Sequence, residues 1–421
     1  MSFIKGASVY LVSNILNAII PFLLLPVMTR YLSPAEYGQI AMFQLLLTGI
    51  NTFVGLNTVG AANRKYYDNG ISEDELKVYN GSCIQILIIS SLFLFFVFYI
   101  FRYKLSIFLA IPTSWVLISV LISALSFVLL MRLGQWQIRN QAKFFGILQV
   151  SNSVVNMLLS LVFVVLNNEG AQGRIDAQVI SGIIFAVISF MLLYKDNLFK
   201  FFSYDCKYIK DALSFGLPLI PHGLGSLFLN ACDRFVINKE LGINDVGIYM
   251  VAVQLSSSLL IIFDAFNKSY VPWLFERLKK NKIEEKVKIV KITYLIILVL
   301  IVVSIIPFIV GPFFIELIAG DKYTEAGNVI GLICLGQIFS AMYLLVTNYI
   351  FYARKTKYLA YVTFISGSIG IVLLFLLVDK FGLFGAALSF VIAKFIHFII
   401  TFYISYKVYD MPWRLSFGYN R

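Results

Sequence analysis

Gln254, Ser257, Asp264 and Lys268 are spaced so that, with Ile261 between them, they fall on one face of a helix. Asp264 precedes Lys268 by four residues with the acid N-terminal, the favourable order for a helix ion pair. Either the two neutralise each other, or Asp264 serves as a proton-coupling group. Gln44, Thr48, Asn51, Gly55 and Thr58 make a second polar stripe, and Asn14, Asn17 and Pro21 a third. A fourth runs through Gly223, Ser226, Asn230 and Asp233, with His222 beside it. Such stripes either line a central cavity or hold helices together. Lys394 sits about eleven residues into the last span with His397 one turn on, and a lysine that deep calls for an anion or a water-filled lumen. Arg30, Arg234, Arg64 and Arg132 lie at span ends, where snorkelling to the interface is the default.

These residues sit in a chain that is 60% apolar and 13% charged, against roughly 45–50% apolar in ordinary soluble proteins. Its apolar runs approach the roughly 20 residues a helix needs to cross a bilayer. The expected fold is therefore an all-α integral membrane protein. Twelve transmembrane helices can be drawn: 6–29, 38–63, 82–101, 114–133, 144–166 and 175–194, then 213–232, 246–268, 292–314, 326–351, 358–378 and 383–408. Ala7 to Met28 is too long for the core of a signal peptide, so the first helix is expected to be retained. The prolines at 21, 26, 218, 221, 272 and 307 are the expected bends. Cys83, Cys206, Cys232 and Cys334 share no metal or redox spacing and read as packing residues.

The second six helices repeat the first. Tyr31-Leu32-Ser33-Pro34-Ala35-Glu36-Tyr37-Gly38 recurs 209 residues later, pairing Leu32 with Leu241, Glu36 with Asp245 and Gly38 with Gly247. The same offset sets Thr48 on Ser257 and Gly55 on Asp264. Residues 139–156 read against 353–370 in the same way. Residues 1–195 and 207–421 are thus expected as two six-helix bundles, related by a parallel pseudo-twofold along the membrane normal, with 196–206 as the cytoplasmic linker. Most of the 34 lysines and arginines fall on the side holding the N-terminus, seven of them between Arg277 and Lys291, so both termini are expected in the cytoplasm. The net charge of +12 then reflects topology and anionic lipid headgroups, and not a nucleic-acid partner.

The two halves, the TRYLSPAEYG stretch, its echo DRFVINKELGINDVG and the later AGDKYTEAG resemble the polysaccharide flippases of the multidrug/oligosaccharidyl-lipid/polysaccharide (MOP) superfamily, above all the Wzx-type O-antigen flippases. The resemblance implies transport of an undecaprenyl-diphosphate-linked oligosaccharide across the bacterial inner membrane, through a cationic cavity between the halves, with Arg30, Arg64, Arg234, Lys268 and Lys394 for the diphosphate and Asn14, Asn17, Asn51, His222 and Asn230 for the sugars. It further implies no cofactor, a lipid-linked oligosaccharide and membrane lipids as partners, and a polysaccharide polymerase and chain-length regulator as further ones. A monomer is sufficient. The cation-coupled multidrug antiporters of the superfamily are the alternative, but the first span lacks their carboxylate. Peptidoglycan-precursor flippases usually have two more helices. A membrane polymerase would need a large outer loop or an interfacial carboxylate cluster; neither is seen, so no enzyme is expected.

Overall fold

The computed structural model describes residues 3–68, 70–201, 203, 205–353, 355 and 357–413, without the side chains of 3–8, 11, 222, 226 and 228–230. The expected sugar-binding residues His222 and Asn230 therefore lie outside the described side chains. Among the described residues, nine helices are long and apolar enough to cross a membrane, or ten if one bent pair counts as a span.

By contacts, the chain divides into two compact units, Met1–Asn238 and Lys239–Arg421. The first contains α1 (Phe3–Tyr31), α2 (Pro34–Phe53), α3 (Thr58–Lys65), α4 (Glu73–Leu109), α5 (Thr113–Ile138), α6 (Ala142–Leu161), α7 (Gly170–Lys195), α8 (Cys206–Gly216) and most of α9 (Leu219–Glu240). The second contains α10 (Ile243–Lys280), α11 (Ile283–Val303), α12 (Ile306–Ala319), α13 (Ala326–Tyr352) and α14 (Lys357–Val408). Packing and repetition thus divide the chain differently, because α8 and α9 open the second repeat but pack with the first unit.

The repeated Leu-Ser-Pro-Ala-Glu stretch is a helix start. Ser33 Oγ accepts the Glu36 amide at 3.3 Å, the Glu36 carboxylate accepts the Ser33 amide at 2.9 Å, and Pro34 needs no intrahelical donor. Glu36 also accepts the Ala171 amide, which ties the start of α2 to that of α7. Ser72 and Glu75 form the same capping box at the head of α4.

Two of the bends coincide with the expected prolines. α8 gives way to α9 at Leu217–Pro218, and α11 and α12 meet at 46° just before Pro307. α1 instead runs unbroken through Pro21 and Pro26, as α10 does through Pro272. A break between α2 and α3 has no proline: Gly55, Leu56 and Asn57 are all left-handed, with φ of 67°, 49° and 58°. Gly382, at φ 56° and ψ −137°, bends α14 between the eleventh and twelfth expected spans.

The break after α2 is held by its neighbours. Gly55 donates its amide to Ser90 Oγ of α4 at 2.8 Å, and Thr58 Oγ1 donates back to the Gly55 carbonyl. A Cβ on Gly55 would overlap the Phe127 ring of α5, and one on Gly216 of α8 would overlap the Leu56 carbonyl oxygen. The surrounding core includes Val54, Tyr79, Cys83, Leu87 and Met131. In the second unit Tyr270, Leu274, Ile338, Met342 and Tyr349 form the corresponding packed centre. Large apolar side chains such as Leu92, Phe93 and Phe96 of α4 lie outward, as a surface against lipid tails requires.

Candidate functional site

In the first unit the stripes read from the sequence meet one that was not. Gln149, Ser153, Asn156 and Ser160 follow a 4-3-4 spacing along α6 and form one face. Asn14 of α1 accepts from Gln149 Nε2 at 3.4 Å, and Asn17 of α1 accepts from Ser153 Oγ. Asn156 Nδ2 donates to Ser181 Oγ of α7 at 2.9 Å. Gln44 of α2 closes the run by donating to Gln178 Oε1 of α7 at 3.0 Å. A continuous ribbon of amides and hydroxyls thus crosses α1, α6, α7 and α2. Asn51 and Thr48 extend it along α2 and are exposed. Such bonds between membrane helices are worth about 0.6 kcal/mol each, so the ribbon holds the helices together while its free edges stay available to a polar solute.

Arg174 of α7 stands in this ribbon. Its Nη1 donates to Asn156 Oδ1 and to Ser160 Oγ, both at 2.6 Å. Among the described residues it has no carboxylate partner. The side chain is half-buried. A fixed positive charge held by neutral groups is suited to an anion. Sequence reasoning used Arg174 only as one of the charges that set orientation. The 4-3-4 spacing in the fifth span and a cation facing it were the signals that could have found both.

The other expected cations have different settings. Arg64 of α3 pairs with Asp68 at 3.4 Å and with Asp211 of α8 at 3.6 Å, and lies 5.7 Å from the Phe215 ring. Lys65 joins the same two acids, and Tyr79 donates to Asp211 at 2.9 Å. Arg64 therefore belongs to a cluster that fastens α8 to α3 and α4. The Lys65 ammonium beside Asp68 holds that carboxyl below the usual carboxylate range. Arg132, expected to snorkel, is buried in α5, where it pairs with Asp196 and stacks 4.0 Å from the Trp136 ring centre. An acid at the end of α7 supplied the partner that snorkelling would otherwise have replaced. Arg30 is exposed in the last turn of α1. Arg234 of α9 is half-buried, its backbone amide donating to Asp233 Oδ1.

In the second unit Asp264 and Lys268 form the expected helix pair, at 2.6 Å and with both side chains at least half exposed. Asn348 of α13 donates to Asn267 of α10 at 2.9 Å. Lys394 of α14 lies 5.4 Å from the Phe390 ring centre, and His397 stacks on Tyr343 at 4.2 Å. The structure thus brings Asn14 and Asn17 together with α6, places Asp264 with Lys268, and gives Arg64 acidic partners.

Comparison with known proteins places this geometry in a setting. A family model described as "Polysaccharide biosynthesis protein" matches residues 3–278. An uncharacterized membrane protein of Haemophilus influenzae is 28% identical over 87% of this chain and 88% of its own length. The capsular polysaccharide biosynthesis protein CapF of Staphylococcus aureus is 23% identical over 96% and 99%. Among solved structures, the lipid II flippase MurJ in an inward closed conformation superposes with a TM-score of 0.72 at 16% identity, covering 95% of this chain and 87% of that one. That likeness is one of fold.

Proposed function

We propose, because the chain belongs to the polysaccharide biosynthesis protein family, that it is a flippase for a lipid-linked oligosaccharide. Its substrate is an undecaprenyl-diphosphate-linked repeat unit, of an O-antigen or similar polysaccharide, carried from the cytoplasmic to the outer face of the inner membrane by alternating access. The observation that carries this reading is the polar ribbon of the first unit with Arg174 set into it. Amides and hydroxyls match sugar hydroxyls, and the guanidinium, which has no carboxylate partner among the described residues, matches a phosphate or an acidic sugar. In the same reading twelve spans form two six-helix bundles with both termini cytoplasmic. Asn14, Asn17 and Asn51 contact sugars, with His222 and Asn230 in the same role. Arg30, Arg234, Lys268 and Lys394 follow the diphosphate along its path, and Arg64 exchanges its acidic partners for it when the substrate enters. A monomer suffices, with a polymerase and chain-length regulator acting on the product.

Moving a diphosphate outward is favoured by the membrane potential by roughly 2.3 kcal/mol per charge per 100 mV. Flipping in vesicles should therefore slow when the potential is collapsed.

Deletion of the gene in its host tests the reading. Lipid-linked repeat units should accumulate on the cytoplasmic face while surface polysaccharide disappears. Accumulation on the outer face would assign the protein a later step. Unaltered glycan with raised drug sensitivity would favour a multidrug antiporter.

A further inference from the structure

One cation of the first unit borders an apolar groove. Pro26, Arg30 and Tyr31 of α1 face Leu158, Val162 and Leu166 across a groove of about 490 Å³. Its far wall continues α6 into a π-helical turn, Val162–Leu166, a local widening that is frequent at functional sites. Leu158 and Leu166 are 52% and 72% exposed, so the groove is open along its length. Arg30, in the last turn of its span, puts a guanidinium at one end of an otherwise hydrocarbon surface.

The same two helices bear the sugar-type ribbon, through Asn14 and Asn17 on α1 and Gln149 to Ser160 on α6. One helix pair therefore presents an amide and hydroxyl surface, a guanidinium and an apolar groove. A ligand with a glycan, a phosphate and a long hydrocarbon tail satisfies all three. A phospholipid has no use for the first.

We infer that the α1–α6 groove is the docking site for the polyprenyl phosphate end of the carrier lipid, with Arg30 on the phosphate and Leu158, Val162 and Leu166 along the first isoprene units. This rests on the flippase reading for its physiological meaning, but the groove can be tested alone. The full-length protein, purified in detergent, is presented with undecaprenyl phosphate and phosphatidylglycerol in competition, and retained lipid is read by native mass spectrometry.

Undecaprenyl phosphate should be retained in preference. Arg30→Gln and Leu158→Trp should each weaken that retention on the order of tenfold, with melting temperatures unchanged and Lys104→Gln behaving as wild type. Equal retention of phosphatidylglycerol, or wild-type retention by both folded variants, would overturn the inference. If retention depends on Arg30 yet gene deletion leaves lipid-linked units unaccumulated, the groove stands and the flippase reading falls. Accumulation on deletion together with wild-type retention by both variants gives the reverse.

Discussion

The second helix of each repeat is polar along the same face, yet the two backbones differ. α2 and α3 are separated by three left-handed residues, whereas α10 continues for 38 residues through the positions that match them. Gly55 corresponds to Asp264, so one repeat spends this position on a bend and the other on a charge that Lys268 answers. A non-glycine residue in the left-handed region costs about 1–2 kcal/mol. Leu56 and Asn57 must draw that from Ser90, Thr58, Phe127 and the close approach of Gly216. Two copies of one stripe can therefore agree on which face is polar and disagree on whether the helix is continuous.

The hardest blow to this contrast is Gly55→Val. It combines a left-handed position with a ring already filling the Cβ site, and should destabilise the protein by about 2–4 kcal/mol in thermal unfolding. Ala265→Gly in α10, at the position that matches Leu56 of the break, should cost only about 1 kcal/mol and create no break. If the two substitutions cost the same, the break is not specifically supported.

Arg174→Gln sharpens the contrast in chemistry. It removes a charge that has no carboxylate partner among the described residues and keeps an amide in the ribbon, so transport should fall about ten- to a hundredfold with little change in melting temperature. Asp264→Asn in the second unit should alter stability by less than about 1 kcal/mol, because the pair is exposed. A transport rate that loses its dependence on pH in this variant would identify Asp264 as the coupling group; an unchanged rate removes it from that role.

Asn17→Ala and Gln44→Ala should each cost about 0.6 kcal/mol, one interhelical bond apiece, by unfolding in detergent. The smallest effect concerns Asp68, whose carboxyl Lys65 holds below its ordinary range. The folded form then has the lower pKa, so the contribution is present above the ordinary carboxylate range and lost as pH falls through the lowered value. Wild type and Asp68→Asn should converge in melting temperature at acid pH.

Much of the helical plan was legible because apolar length is a local property. The stripes on α1, α2 and α10 were legible for the same reason, as was the Asp264–Lys268 pair. Bends were read only where proline marks them. The break at Gly55–Asn57 escaped because three neighbouring helices impose it, and no residue inside it forbids a helix. Arg132 escaped because its partner, Asp196, lies 64 residues away and only folding brings them together. Arg174 was visible as a charge, but its surroundings depend on α6 facing α7. Pairings between segments are long-range facts that spacing within one helix does not carry.

The cluster of Arg64, Lys65, Asp68 and Asp211, with Gly216 seated against Leu56, bears on how a chain with matching sequence stretches can be taken apart. A cut at residues 196–205 would respect the repeat but sever α8 and α9 from the unit they pack into. Of two co-expressed fragments divided there, the second would carry α8 and α9, part of the first unit's interior. Fragments divided nearer Asn238 would each carry a whole unit. In such a chain the boundary between matching sequence stretches and the seam available to recombination lie in different places.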